Sequence, residues 1–391
     1  MRRGPELDRP ESRRTVKVFA FASFLNDFGS DIIYPIWPLF VTSVLGANMA
    51  VLGFIDGLGD AIVSLSQAGS GYISDRIRKR KIFIWVGYLF GSLSRIGYAL
   101  STVWQHLIPL RVLDRMGKIR SAPRDAIVAD ISTDQDRGRN FGLLRTMDNL
   151  GAVCGILFCL VFFHIGYQNL FLLAAVPSAI GAALILWMIK EQPEVAAKAF
   201  KGLSLGHLDR NFWLFLVLSS FFALGSFSYS FLLIYSTGFG VRESLMPVLY
   251  LVFTVVAALL SLPCGRLADR FGRKPILLLS FLAWGFTCFV FAVFQNAWMT
   301  VVAFVLFGVH KAALEPVQKA LVSELAPREL RASTLGGFQM VIGLCAFPSS
   351  LLAGLVWQYV DRIAPLYLSL VLTVLSSVLL LFVKERRSVN T

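Results

Sequence analysis

One stretch of this sequence, residues 111 to 130, carries many ionisable side chains for its apolar surroundings. Its charged residues before Asp130 are Arg111, Asp114, Arg115, Lys118, Arg120, Arg124 and Asp125. A charge at the centre of a bilayer costs about 2.5 to 3.5 kcal/mol on insertion scales, so such groups usually face a protein interior or a water-filled cavity. At that depth they can hold a charged solute, or take up and release a proton. The stretch therefore predicts a polar site within a membrane-spanning helix.

Helix geometry sorts these charges into two faces. At 100° per residue, Arg120 and Arg124 point away from the side that carries most of the other charges. Pro123 has no backbone N–H, so we expect the helix to bend there.

The first apolar segment, residues 23 to 40, places acidic and aromatic residues on one face of a helix. These residues are Asp27, Asp31, Tyr34 and Pro38. At a rise of 1.5 Å per residue, Asp31 lies about level with Lys118, and Asp27 with Arg124. Intramembrane ionisable residues usually have a function, so we favour a cavity lining over static ion pairs. The residues expected to line this cavity are Asp27, Asp31, Tyr34, Arg111, Arg115 and Lys118.

Two other pairs of opposite charge are predicted at matching depths across helical hairpins. Asp60 lies level with Arg95, and Asp125 with Arg145. For these we favour static ion pairs, because such pairs offset the cost of buried charge without a role in transport.

The second half of the chain is more apolar, with its main ionisable group in residues 309 to 319. A helix there places Lys311 and Glu315 on one face, where a local ion pair and a substrate contact are equally supported. His310 points about 100° away, and we expect it to pack or hydrogen-bond. The hydroxyl of Tyr229 is a candidate ligand contact, with packing as the alternative.

Composition sets the class of protein. The 391-residue chain is 56% hydrophobic and 16% charged, with a mean hydropathy of +0.67. Apolar segments of about 20 residues recur, long enough for helices to cross ~30 Å of hydrocarbon. The twelve predicted helices occupy residues 16–45, 50–74, 82–101, 104–131, 139–164, 169–189, 212–236, 245–266, 275–295, 298–324, 332–358 and 365–384.

The distribution of charge predicts the orientation. Although the net charge is +13, Lys and Arg gather in alternate loops, which follows the positive-inside rule rather than the pattern of a nucleic-acid-binding protein. Both termini and residues 190–211 are then cytoplasmic. We expect an integral protein of the bacterial inner (cytoplasmic) membrane, with no nucleic acid as partner.

A sequence repeat divides the chain into halves. The repeated residues, 194 positions apart, are Gly71, Asp75 and Arg76 and their counterparts Gly265, Asp269 and Arg270. Two parallel repeats predict two six-helix bundles with a binding site near the membrane midplane. The predicted division is a tail of residues 1–15, a bundle of 16–189, a linker of 190–211, a bundle of 212–385 and a tail of 386–391.

Two loops and one helix carry a family resemblance. GYISDRIRKRK (71–81) and GRLADRFGRKP (265–275) resemble the repeated loop of the major facilitator superfamily, and RVLDRMGKI (111–119) resembles its fourth-helix motif. The resemblance implies an all-α membrane protein of twelve helices, in two bundles related by a pseudo-twofold axis that rock about a central site. It makes Arg111 the family's buried arginine. It also implies a conformational latch formed by Gly71, Asp75, Arg76, Gly265, Asp269, Arg270, Gly272 and Arg273.

These observations predict a transporter rather than an enzyme. There is no glycine-rich nucleotide loop, and the four histidines lack metal-ligand spacing, so we expect no cofactor and no metal. We expect a monomeric secondary active transporter for a small organic anion or zwitterion. The candidates for proton coupling are Asp27, Asp31 and Glu315. The alternatives are a multidrug exporter of lipophilic compounds, and a non-transporting receptor or assembly protein of the same fold.

Overall fold

The computed structural model describes residues 9–77, 79–133, 136–191, 209–326 and 331–385. Fifteen α-helices follow one another in this part of the chain. The helices of the first half are α1 Arg9–Ile33, α2 Trp37–Leu39, α3 Met49–Ile77, α4 Lys81–Leu100, α5 Leu107–Met116, α6 Ser121–Ile131, α7 Arg137–Phe162 and α8 Tyr167–Met188. Those of the second half are α9 Arg210–Gly225, α10 Tyr229–Gly238, α11 Met246–Phe271, α12 Arg273–Val293, α13 Ala297–Leu325, α14 Arg331–Tyr359 and α15 Ala364–Phe382.

Ten helical segments of the described residues are long and apolar enough to cross a membrane. The two other predicted spans are also helical, but they carry more charge and are interrupted. The first consists of α1, α2 and a π-helical turn, Phe40–Val44, and the fourth consists of α5 and α6. The prediction of an all-α membrane fold with twelve spans is confirmed.

The fourth span differs from the predicted continuous helix. A 3-10 turn, Gly117–Arg120, separates α5 from α6, and Pro123 lies in the first turn of α6. The interruption therefore precedes the proline. Four residues at about 120° each, rather than 100°, rotate the following helix by about 80°. This rotation overturns the predicted separation of Arg120 and Arg124 from the other charges, because both side chains contact α1, Arg120 at Asp27 and Arg124 at Ser23.

The helices form two compact units. The first contains residues 1–40 and 62–200, and the second contains 41–61 and 201–391. The N-terminal part of α3 thus groups with the second unit, where Gly53 and Gly57 lie against the α14 backbone near Phe347 and Ser350.

Close backbone contact joins α1 and α7 in the first unit. A Cβ atom added at Gly151 would collide with the carbonyl of Phe24, and one at Gly155 with the carbonyl of Phe28. The absence of a side chain at these two positions therefore sets the distance between the two helices.

Gly155→Ala should lower the melting temperature in detergent, because its Cβ atom has no room beside the Phe28 carbonyl. Overpacking of this kind costs about 1 to 3 kcal/mol. Gly142→Ala on the same helix is the matched control, since a Cβ there meets nothing within 4 Å. Equal melting temperatures of the two variants would contradict the packing argument.

The second unit has an aromatic core. Phe222 stacks on Phe281 with ring centroids 4.1 Å apart, and Tyr235 packs on Trp357 at the same distance. His310 is fully buried, and its Nδ1 lies 2.9 Å from the Ser280 hydroxyl. The expected packing and hydrogen-bonding role of His310 is confirmed.

Candidate functional site

One charged cluster of the first unit joins α5 to α1 and α2; we call it the Asp114 cluster. Its members are Tyr34, Trp37, Arg111, Asp114 and Arg115. Asp114 Oδ2 lies 3.9 Å from Arg111 Nη1 and 3.7 Å from Arg115 Nε, so two guanidinium groups share one carboxylate. Arg115 Nη1 also donates a hydrogen bond of 3.0 Å to the Tyr34 hydroxyl.

Aromatic rings cover both guanidinium groups. Arg111 lies 4.3 Å from the Trp37 ring centroid, and Arg115 lies 5.1 Å from that of Tyr34. Arg111 is 2% exposed and Arg115 is 9% exposed. A guanidinium held by cation–π contact and ion pairing in low-dielectric surroundings is restricted in orientation, as is required for recognition of a planar anion.

The remaining residues predicted for the cavity lie near this cluster in sequence. Asp31 is buried one turn before Tyr34 on α1, and Lys118 is partly exposed in the 3-10 turn. The structure thus brings Tyr34, Arg111 and Arg115 together, and their place in the lining of a cavity stays a prediction. It adds Trp37 and Asp114 to them, which the sequence argument did not select.

Arg95 forms a separate polar network and is not held by the predicted ion pair with Asp60. Its Nη1 donates to the Ala174 carbonyl at 2.8 Å and to Ser178 Oγ at 2.5 Å. Its Nη2 donates to Ser30 Oγ at 2.7 Å. Neutral oxygen atoms of α1 and α8 therefore take the place of the expected carboxylate.

A second charged cluster of the first unit joins α6 to α1 and α7; we call it the Arg124 cluster. Its members are Ser23, Arg124, Asp125, Arg145 and Asp148. Arg124 lies 2.9 Å from Asp125 and 3.8 Å from Asp148 Oδ1, and Arg145 lies 3.7 Å from Asp148 Oδ2. The predicted pair of Asp125 with Arg145 is therefore wrong, because each has a partner closer in sequence.

Two oxygen atoms of this cluster differ in their hydrogen bonding, Asp148 Oδ1 and Ser23 Oγ. Asp148 is only 14% exposed, and its Oδ1 accepts no hydrogen bond from the residues that the structure describes. Ser23 accepts a 2.5 Å hydrogen bond from Arg124 Nη1. The depth count places Asp148 one turn deeper than Asp125 and Arg145, and for that reason the sequence argument did not select it as a site residue.

Asp27 is near the Arg124 cluster but has a different partner from the one expected. Arg120 Nη2 lies 3.9 Å from Asp27 Oδ1, and Asn26 donates to the same oxygen at 2.9 Å. The counted depth set Asp27 level with Arg124. The 3-10 turn rotates the helix after Gly117, so that Arg120 rather than Arg124 reaches the Asp27 carboxylate.

The site residues predicted in the second unit do not form a charged cluster with one another. Lys311 and Glu315 form no ion pair: Lys311 Nζ lies 5.4 Å from the Phe307 ring centroid, and Glu315 is exposed. The substrate-contact alternative stays a prediction. The ring of Tyr229 packs edge-on against Tyr250 at 5.2 Å.

The predicted latch of the second unit is assembled around Arg273. Its Nη1 lies 2.5 Å from Asp269 Oδ1, and its Nε lies 2.9 Å from Glu324 Oε1. Its backbone N–H donates to the carboxylate of Glu385. Gly272 has a φ of 102°, which favours glycine and turns the chain between α11 and α12.

Three other residues predicted for the latch take no part in the contacts around Arg273; they are Arg270, Gly265 and Gly71. Arg270 is exposed and lies 5.3 Å from the Phe271 ring centroid. A Cβ atom added at Gly265 would meet nothing within 4 Å, so this glycine does not set a helix-to-helix distance. A Cβ at Gly71 would make ordinary contact with Ala122 at 3.4 Å.

The first unit contains a related arrangement. Arg76 is exposed, and the side chain of Asp75 lies outside the described residues. Arg80 Nη1 lies 2.5 Å from Asp130 Oδ2, and the Arg80 backbone N–H donates to Glu191 Oε1 at 2.7 Å.

The sequence argument missed the acidic residues that bind Arg80 and Arg273, although the repeat points to them. Asp130 and Glu191 have Glu324 and Glu385 as counterparts, at the same offset of 194 positions. Extending the comparison from the loop motif to the ends of the fourth, sixth, tenth and twelfth spans would have found them.

Glu324→Gln should slow transport about tenfold, because it removes the charge from one partner of Arg273 while keeping the side-chain volume. A hydrogen bond to a charged group contributes about 1.5 to 3 kcal/mol, enough to shift the balance between two conformations by that factor. Glu243→Gln, an exposed carboxylate, is the matched control. Equal turnover of both variants in a flux assay would count against the latch.

Comparison with known proteins agrees with this arrangement of helices. The family model described as Major Facilitator Superfamily matches residues 19–256 and 213–391. An uncharacterised MFS-type transporter of Methanocaldococcus jannaschii is 34% identical over 394 residues, which cover 98% of each chain.

Two solved structures share the fold at low sequence identity. A variant of the nucleoside transporter NupG has a TM-score of 0.78 at 15% identity, covering 94% of this chain and 98% of its own. A POT family transporter in complex with 5-aminolevulinic acid has a TM-score of 0.77 at 14% identity, covering 94% of this chain and 95% of its own.

Proposed function

Because this chain belongs to the Major Facilitator Superfamily, we propose that it is a proton-driven secondary transporter for a small organic anion or zwitterion. The Asp114 cluster carries the proposal. Its two guanidinium groups share the carboxylate of Asp114. Guanidinium groups recognise carboxylate and phosphate by paired, charge-assisted hydrogen bonds, so the cluster favours an anionic group on the solute.

The fold itself does not select the substrate, since one fold serves many functions. The selection rests on the side chains. Arg111 and Arg115 are buried and covered by aromatic rings, so their charges are weakly screened. A neutral lipophilic compound would gain little from them, whereas a zwitterion would place its negative end at the two arginines and its positive end near a carboxylate.

Proton coupling is assigned to the carboxylates of the first unit. Asp27 and Asp148 both lie between 3.7 and 3.9 Å from arginine side chains. A carboxylate favours its charged form beside a cation and its neutral form when desolvated without one. Breaking these ion pairs during a conformational change would therefore bind a proton, and restoring them would release it. Asp31 remains a candidate, whereas the exposed Glu315 lacks such a partner.

The transport cycle and orientation belong to the same proposal. We propose that the chain works by alternating access in the cytoplasmic membrane, with both termini on the cytoplasmic side. Lys and Arg in alternate loops support this orientation. Labelling of single cysteines introduced near each terminus in intact cells and in inverted vesicles gives the direct measurement.

The function is tested with purified protein in proteoliposomes under an imposed pH gradient. Small carboxylates, phosphate esters and amino acids serve as radiolabelled solutes. We expect at least one of them to accumulate above its equilibrium distribution, and a protonophore to abolish the accumulation. Transport of neutral lipophilic dyes alone would favour the multidrug alternative, and binding without flux would favour a receptor.

A further inference from the structure

We propose that a groove between the first turns of α1 and the last turns of α8 binds the headgroup of an anionic phospholipid. The groove has a volume of about 630 Å³. Its basic lining consists of Arg13, Arg14 and Lys17, and its apolar lining includes Phe21, Leu184 and Met188. The groove lies within the first unit, apart from the charged clusters described above.

The three basic side chains form one positively charged surface. Arg13 and Lys17 are one helical turn apart, and Arg14 adjoins them. All three are exposed, and none has an acidic partner among the residues that the structure describes. Glu11, the acidic residue in the first turn of α1, lies 3.6 Å from Lys190 instead. Among the residues that the structure describes, three cations therefore share one opening without an ion-paired acid.

The apolar part of the groove begins one turn further along α1. Phe21 follows Lys17 by one turn and is 51% exposed, and Met188 on α8 is 40% exposed. Trp187 beside it is 80% exposed, as is common where a helix meets the lipid headgroups. The lining thus changes from cationic to apolar along the helix axis, in the order in which a phospholipid presents its phosphate and then its acyl chains.

Charge complementarity selects the lipid class. Basic pockets between membrane helices bind anionic headgroups, and basic residues near the membrane surface attract anionic lipids. A zwitterionic headgroup carries a cation of its own, which the three basic residues would repel. A free phosphate would contact the cations but would leave the apolar part of the groove unused. The groove therefore fits phosphatidylglycerol or another anionic phospholipid better than phosphatidylcholine of the same chain length.

The test titrates the purified full-length protein with phosphatidylglycerol or phosphatidylcholine of identical acyl chains and follows bound lipid by native mass spectrometry. We expect preferential binding of phosphatidylglycerol. The variant R13Q/R14Q/K17Q should weaken that binding at least about tenfold. The control K79Q/R139Q/R266Q removes three other exposed charges and should bind as the parent does.

A second variant tests the apolar part and guards against misfolding. Phe21→Ala keeps all three charges and should weaken phosphatidylglycerol binding without changing the binding of glycerol phosphate. Equal affinity for glycerol phosphate and phosphatidylglycerol would overturn the proposal in favour of a simple phosphate site. Equal losses in the two triple variants would also overturn it, because total charge rather than the groove would then explain binding.

Discussion

Arg115→Gln should raise the KM for an anionic solute by roughly ten- to a hundredfold, the largest effect on recognition that we expect. A hydrogen bond to a charged partner contributes about 1.5 to 3 kcal/mol, and each 1.4 kcal/mol is a factor of ten. Initial rates of radiolabelled uptake over a range of solute concentrations give the measurement.

Two further variants separate charge from geometry. Arg115→Lys keeps the charge but lacks the planar pair of donors, so its KM should lie between those of the parent and Arg115→Gln. Arg242→Gln removes an exposed arginine outside both charged clusters and should leave KM unchanged. An unaltered KM in Arg115→Gln would remove the Asp114 cluster from the binding site.

Asp148→Asn should abolish accumulation driven by a pH gradient while leaving solute exchange across the membrane. An amide has nearly the volume of the carboxylic acid but cannot release a proton, so the coupled step is lost. We expect the accumulation ratio to fall to about 1, because solute then only equilibrates. Accumulation and counterflow are measured in the same proteoliposomes, so a loss of coupling is distinguished from a loss of all transport.

Asp125→Asn is the matched control for this prediction. Asp125 interacts with the same Arg124 at 2.9 Å, but its side chain is 39% exposed. Water can therefore stabilise its charge throughout the cycle, and coupling should persist in the variant. If Asp148→Asn accumulates solute like the parent and Asp27→Asn does not, the proton site is Asp27 instead.

Hydrophobic periodicity and the repeat were sufficient to predict the twelve spans and the loops with latch residues. These features depend on long stretches and on fixed offsets, which local irregularities do not disturb. The fourth span shows the limit of the method. A 3-10 turn of four residues has no strong sequence signal, yet it changes which face of the span Arg120 and Arg124 occupy.

The choice of ion-pair partners was less predictable. Counting residues gives the depth of a side chain but not its direction around the helix, so several acids share each layer with each arginine. Arg95 shows a second difficulty, since serine hydroxyls and a backbone carbonyl can take the place of a carboxylate. Such neutral acceptors are common in any apolar helix and cannot be identified from charge patterns.

The uncharged hydrogen-bond acceptors of Arg95 have an electrostatic consequence. A guanidinium stays ionised at physiological pH, and this one is 2% exposed with only uncharged acceptors among the residues that the structure describes. At 10 Å and an effective dielectric constant of 20, its field stabilises a monovalent anion by about 1.7 kcal/mol and opposes a cation by the same amount. Arg95 therefore contributes one fixed charge that favours an anion, and the carboxylates of Asp27 and Asp114 in the same unit oppose it.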